Sequence, residues 1–262
     1  MTFTLHTGSV PMLVSMPHIG TDIPFELQGD YVPRALDVED ADWHLARLYD
    51  FLPELGISIL QPRYSRYLID LNRPPDDVPM YPGAANTELC PTRFFTGEAL
   101  YKSGQVPSPQ EIKRRRNTYW QPYHDALAAE LSRIKAIHGF VLLWDAHSIR
   151  SHIPWLFEGK LPDLNIGTAS GASAATAVSD AAASAADGFT HVVNDRFKGG
   201  YITRQYGQPA NQVHAVQLEK CQSLYMQETP PYAYDEALAL KLQPSLRRMV
   251  QASLAAAKAL YD

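Results

Sequence analysis

Phe140-Val141-Leu142-Leu143-Trp144-Asp145, followed directly by Ala146-His147-Ser148, is the stretch on which the fold turns. Its unbroken apolar run offers no polar face, so it predicts a strand buried on both sides. It closes a long helical stretch, residues 111–138, that contains Trp120 and Leu127. Toward the N-terminus, Met12-Leu13-Val14-Ser15-Met16 predicts a second buried strand, stopped by Pro17. Residues 42–55 predict a helix with Trp43, Leu45, Leu48, Tyr49 and Leu52 as its apolar side. Ile57-Ser58-Ile59-Leu60 and Tyr67-Leu68-Ile69-Asp70-Leu71 predict strands, as do Val192-Val193-Asn194 and Ala215-Val216-Gln217-Leu218-Glu219. Residues 172–186, rich in Ala and Ser, predict a surface helix, and residues 235–261 an amphipathic closing helix. Residues 74–109 are rich in Pro, Gly and Thr and predict a long irregular segment, a kind usually tied to function. Short apolar strands between helices imply an α/β fold. Its central sheet is mixed and largely parallel, with helices on both faces. No repeat or boundary divides residues 1–262, which are read as a single domain.

Composition narrows the function classes. With 262 residues, 45% of them hydrophobic and 19% charged, the chain is long enough for a substantial core. A net charge of -5 gives no reason to expect nucleic acid or an acidic membrane as partner. A small-molecule substrate is expected instead. The two cysteines, Cys90 and Cys221, make no disulfide framework and are read as reduced thiols of a cytoplasmic protein. Met1-Thr2-Phe3-Thr4-Leu5-His6 does not read as a secretory signal, and no run approaches the ~18 apolar residues of a membrane span.

In open α/β sheets, sites collect at the carboxyl ends of strands. His18, Asn72 with Arg73, His147 and Glu219 all fall at or near such ends. His18 and His147 each follow an apolar run and are candidate metal ligands. Catalytic zinc takes three protein ligands and keeps one position open, so a carboxylate should join them. Asp22 and Asp42 are the candidates, although a plain helix N-cap is also a common role for a residue like Asp42. Strand alternation would put Arg66, Leu68, Asp70 and Asn72 on one face, with Arg73 on the following turn. Two planar guanidinium forks and an amide suit a dicarboxylate, or else structural pairing with Asp70, Asp76 or Asp77. Arg196-Phe197-Lys198-Gly199-Gly200-Tyr201-Ile202-Thr203-Arg204 is basic, and its glycine pair would let backbone approach a ligand. Glu219 at the end of an apolar strand could serve as general base beside a metal-bound water.

Met16-Pro17-His18-Ile19-Gly20-Thr21, Asp42-Trp43-His44, Ser65-Arg66-Tyr67 through Leu71-Asn72-Arg73-Pro74-Pro75, Asp145-Ala146-His147-Ser148-Ile149-Arg150-Ser151, Asn194 through Arg204 and Gln217-Leu218-Glu219 closely resemble the N-formylglutamate deformylase (N-formylglutamate amidohydrolase) family. The resemblance runs nearly end to end. It implies the phosphorylase/hydrolase-like fold of zinc carboxypeptidases and aspartoacylase. It also implies hydrolysis of N-formyl-L-glutamate to glutamate and formate in histidine degradation, with one divalent ion, Zn2+, as cofactor. By resemblance, His18 and His147 are zinc ligands, Glu219 is the general base, and Arg66 polarises the scissile carbonyl. Asn72 and Arg73 hold a substrate carboxylate, with Arg150 or Arg204 as further clamps. Carboxypeptidases place a glutamate three residues after the first histidine, where this chain has Thr21. The resemblance favours Asp42 as the third ligand, with Asp22 second. A zinc amidohydrolase for another N-acyl acidic amino acid, or a non-catalytic dicarboxylate-binding module, are the alternative readings.

Overall fold

The computed structural model of the chain describes residues 1–80 and 87–262. Among them one seven-stranded sheet is built from β1 (Phe3–His6), β2 (Met12–Ser15), β3 (Ser58–Pro62), β4 (Val141–Ile149), β5 (Leu164–Gly167), β6 (His191–Val193) and β7 (Val213–Cys221), in the order β1-β3-β2-β4-β7-β5-β6. β3–β2, β2–β4, β4–β7 and β5–β6 pair in parallel, and β1–β3 and β7–β5 antiparallel. The expected mixed, largely parallel sheet is therefore present. The helices are α1 (Phe25–Gln28), α2 (Leu45–Leu48), α3 (Pro109–Arg115), α4 (Gln121–His138), α5 (Thr176–Ser184), α6 (Tyr201–Tyr206) and α7 (Glu236–Lys258).

Strand alternation divides the core. Met12, Val14, Leu142, Trp144, Val216 and Leu218 pack on one face with α2, α5 and α7. Leu13, Val141, Leu143 and Ala215 pack on the other with α4 and Ile202 of α6. By the same two-residue period, Asp145 and His147 of β4 and Gln217 and Glu219 of β7 continue this second face. It is apolar near the start of the strands and polar at their carboxyl ends. β4 is longer than the apolar run suggested. All nine of its residues are buried, and its pairing with β7 runs to Ile149↔Cys221.

Several expected elements differ. Tyr67 to Leu71 is not a strand but a series of turns. Its amides are met locally: Leu68 N donates to Ser65 O at 2.9 Å, Arg73 N to Asp70 O at 3.2 Å and Asn72 N to Asp70 Oδ1 at 2.8 Å. Its apolar side chains divide between two clusters, Tyr67 against Phe94 and Leu68, Ile69 and Leu71 against the α4 face. The expected helix over residues 42–55 is one turn, α2, plus a 3-10 turn at Pro53–Leu55. His44 before it takes a left-handed φ of 61°, so Asp42 caps no helix. The long helix over residues 111–138 starts earlier, at Pro109, and passes through a π turn at Arg116–Trp120. That turn accommodates Pro122, which has no N–H to give. The described part of residues 74–109 holds no helix or strand before Pro109, and residues 81–86 lie outside the described residues. Among the described residues, no helix is long and apolar enough to cross a membrane.

Candidate active site

His18 sits on the turn after β2, and its carbonyl accepts from Asp42 N at 3.0 Å. That bond draws the 38–44 loop across the end of the sheet. Ser148 N of β4 then donates to Asp42 Oδ2 at 3.2 Å. The result is a buried triad. His147 Nδ1 lies 3.2 Å from His18 Nδ1 and 3.3 Å from Asp42 Oδ2, and His18 Nδ1 lies 3.8 Å from Asp42 Oδ2. The far ring nitrogens are held by other carboxylates: His18 Nε2 by Asp70 Oδ1 at 2.7 Å, His147 Nε2 by Asp145 Oδ2 at 3.0 Å. Each Nε2 is therefore oriented by a carboxylate, and both Nδ1 atoms are turned toward Asp42. Carboxylate–histidine pairs oriented this way are the usual outer support of a metal site.

The donor set fits a divalent cation on two further counts. Asp42 Oδ1 and Glu219 Oε1 are buried without a hydrogen-bond partner, which is costly unless a ligand meets them. Burial alone would lower the His147 pKa, but the Asp145 and Asp42 carboxylates override it and push it up to about 10. A cluster that draws a proton this firmly offers a cation the same place, in exchange for that proton.

Glu219 lies on β7 directly beside His147, since the two are partners in the parallel register. Burial pushes its carboxyl up to about 8, against the pull of His147 and with a push from Asp42. Arg66 reaches the triad from the 65–72 turns. Its NH2 donates to Asp70 Oδ2 at 2.7 Å, its NH1 stands 4.0 Å from Asp42 Oδ1, and its guanidinium lies over Phe95 at 4.6 Å.

These groups open into a cavity of about 180 Å³ whose walls include His18, Arg66, Asn72, Arg73, His147 and Glu219. Taking ~30 Å³ per water, it holds an amino-acid-sized molecule and is too small for the 300–1,000 Å³ pockets of drug-sized ligands. A larger hollow of about 540 Å³ lies around Asp22, Arg63 and Tyr119. It contains none of the triad, so its size does not make it the reactive site.

The structure thus brings together His18, Asp42, His147, Arg66, Asn72, Arg73 and Glu219. Asp22 is elsewhere, half-exposed and paired with Arg63 Nε at 2.6 Å. Arg150 and Arg204, expected as substrate clamps, do not line the cavity. Arg150 is drawn away by Asp40, to which its NH2 donates at 2.7 Å. Arg204 is exposed on α6, with its Nε on Gly199 O at 2.8 Å. Besides Arg66 and Arg73, the basic side chain that lines the wall is Arg196, over Phe157 at 5.1 Å and donating to Leu156 O. Its stretch stood out in the sequence as basic, but nothing there distinguished Arg196 from Arg204. Asp70 and Asp145, the partners of the two histidines, were also missed as such. Both stood in the quoted motifs, but partnership across loops has no sequence spacing.

The chain is similar to known proteins along nearly its whole length. Residues 10–226 match the family described as N-formylglutamate amidohydrolase. The chain is 49% identical to N-formylglutamate deformylase of Pseudomonas putida, over 96% of this chain and 95% of that one. It is 50% identical to that of Pseudomonas aeruginosa, over 95% and 94%. A crystal structure of N-formylglutamate amidohydrolase from Ralstonia eutropha JMP134 superposes with a TM-score of 0.81 at 26% identity, covering 98% of this chain and 97% of that one.

Proposed function

The chain belongs to the N-formylglutamate amidohydrolase family, and from that premise we propose that it hydrolyses N-formyl-L-glutamate to glutamate and formate with a zinc ion held by His18, Asp42 and His147. The observation that carries the reading is the buried triad opening, beside an unpartnered Glu219, into an amino-acid-sized cavity. When bound, the ion would supply a water with a pKa near ~7 and a Lewis acid for the formyl oxygen.

The chain's own residues do the rest. Glu219 takes the proton from the attacking water as the C–O bond forms. It returns that proton to the amide nitrogen as the C–N bond breaks, leaving formate and the free amine. Arg66 donates to the developing oxyanion, the electrostatic role that is often the largest catalytic contribution. Arg73 lines the wall with three of its donors already bound, to Thr87 O, Thr87 Oγ1 and Asn72 O. A guanidinium fixed in this way presents its remaining edge to one substrate carboxylate. Arg196 faces the second carboxylate from the opposite segment. A small cavity favours formyl over larger acyl groups.

The test is formate release from N-formyl-L-glutamate by the purified chain, with and without a chelator, followed by re-addition of zinc. Activity lost to the chelator and restored by zinc supports the reading. Full activity after complete metal removal overturns the metal assignment, and no formate under any metal overturns the substrate.

A further inference from the structure

We propose that Asn72 is a positioning residue that locks the Asp145–His147 pair to the first turn of α6, and not a ligand for the substrate carboxylate. The proposal rests on the metal-site reading above and changes one role within it.

The Asn72 side chain is already engaged at both its oxygen and its nitrogen. Its Oδ1 accepts from Ile202 N at 2.8 Å. Its Nδ2 donates to Asp145 Oδ2 at 3.4 Å and stands 3.0 Å from His147 Nε2. Its backbone N donates to Asp70 Oδ1 at 2.8 Å, on the carboxylate that orients His18. One residue thus touches the outer partners of both candidate histidine ligands. A side-chain amide has one oxygen and two N–H groups. The oxygen is spent on α6, and the nitrogen faces Asp145. A substrate carboxylate brought to the same nitrogen would approach Asp145, and like charges in a buried site repel strongly.

Gly200 is the second, independent observation. A Cβ there would fall 2.2 Å from Asn72 Nδ2. The backbone at Gly200, φ -81° and ψ -166°, is open to any residue. Glycine is therefore required for space, so that the N-terminal turn of α6 can close on the Asn72 amide. Gly200 N is itself held by Gln217 Oε1 at 2.6 Å. β7, α6, Asn72 and β4 form one closed circuit around the His147 ring.

The experiment uses the full chain as Asn72→Ala, Gly200→Ala and the double variant. Zinc affinity is measured by competition with a chromophoric chelator, and the ligand field by the visible absorption of the cobalt(II)-loaded protein. kcat/KM is measured at saturating zinc for N-formylglutamate, N-formylglutamine and the α-amide. Loss of an outer partner typically weakens metal affinity ~10–100-fold. Asn72→Ala should do so, alter the cobalt spectrum, and lower kcat/KM by the same factor for all three substrates. Gly200→Ala should act in the same direction alone but add little in the Asn72→Ala background, because the clash is then gone. Thermal unfolding of each variant shows that it is folded. Unchanged zinc affinity in both single variants, with a loss that disappears for one of the amides, would overturn the proposal and make Asn72 a carboxylate ligand. If the wild-type chain binds zinc but does not cleave N-formylglutamate, the deformylase reading fails while the zinc titrations still decide the role of Asn72.

Discussion

Glu219 is the residue whose chemistry is most exposed to test. Glu219→Gln keeps the shape and removes the base. Zinc content and KM should hold while kcat falls by ~10²–10⁴-fold, measured by steady-state kinetics beside metal analysis. A kcat that stays within a few-fold would leave Glu219 as a strand-end residue only. Arg73 separates charge from geometry. Arg73→Lys should weaken turnover, and Arg73→Ala should weaken it more, toward the loss of ~2–5 kcal/mol expected when a charged hydrogen-bonding partner is removed. The loss should vanish for whichever substrate amide lacks the carboxylate that Arg73 contacts, and Arg196→Ala should show the complementary pattern. An equal loss across N-formylglutamate and both amides would mean that neither arginine reads a carboxylate. At this scale the convergence of His18, His147 and Glu219 on one cavity was legible, because an ionisable side chain beside a buried run needs a reason to be there. Arg196 was not, because which of several basic side chains borders the cavity depends on the packing of the 150s segment against it.

Among the elements, the buried strands were read well and the short connecting pieces poorly. Five apolar residues in a row specify burial whatever surrounds them, as in β4. The apolar residues of 67–71 specify burial too, but turns deliver them to two different clusters. Arg66 and Asp70 therefore meet as an i,i+4 pair across turns and not by strand alternation. The helix behind these turns has its own pH signature. His124 of α4 donates from Nε2 to Leu71 O at 2.9 Å and accepts from Tyr206 OH at 2.9 Å. Burial lowers its pKa from 6.5 to about 4. As pH falls below 6.5 the unfolded chain binds a proton that the folded chain refuses until about 4. This residue should therefore cost the fold up to ~3 kcal/mol across that window, and nothing above it. Denaturant melts at several pH values would show it, and His124→Asn should remove about one proton from the slope between these limits. An unaltered slope would mean that His124 is charged in the folded protein.

For the whole molecule, fold class followed from the alternation of buried strands and helices. The edge strand β1 and the antiparallel β5 did not, since half-exposed and very short strands leave little pattern. The sheet sets a stability prediction. A metal bound only by the native chain adds RT ln(1 + [L]/Kd), ~3 kcal/mol at a hundredfold excess over Kd. In a chain of this size that raises Tm by roughly 5–10 °C. Calorimetry with zinc and with chelator checks it, and His147→Ala should abolish the difference. An equal shift in His147→Ala would place the stabilising ion elsewhere. The three proposed ligand residues come from the end of β2, a loop and β4, with about a hundred residues between Asp42 and His147. An ion that ties such distant points acts as a removable cross-link of the folded chain, and unlike a disulfide it is released on unfolding and leaves the unfolded chain unrestrained. On the proposed zinc assignment, zinc supply should govern how long the protein survives as well as whether it works: chains made when the ion is scarce should open more often and meet proteases sooner.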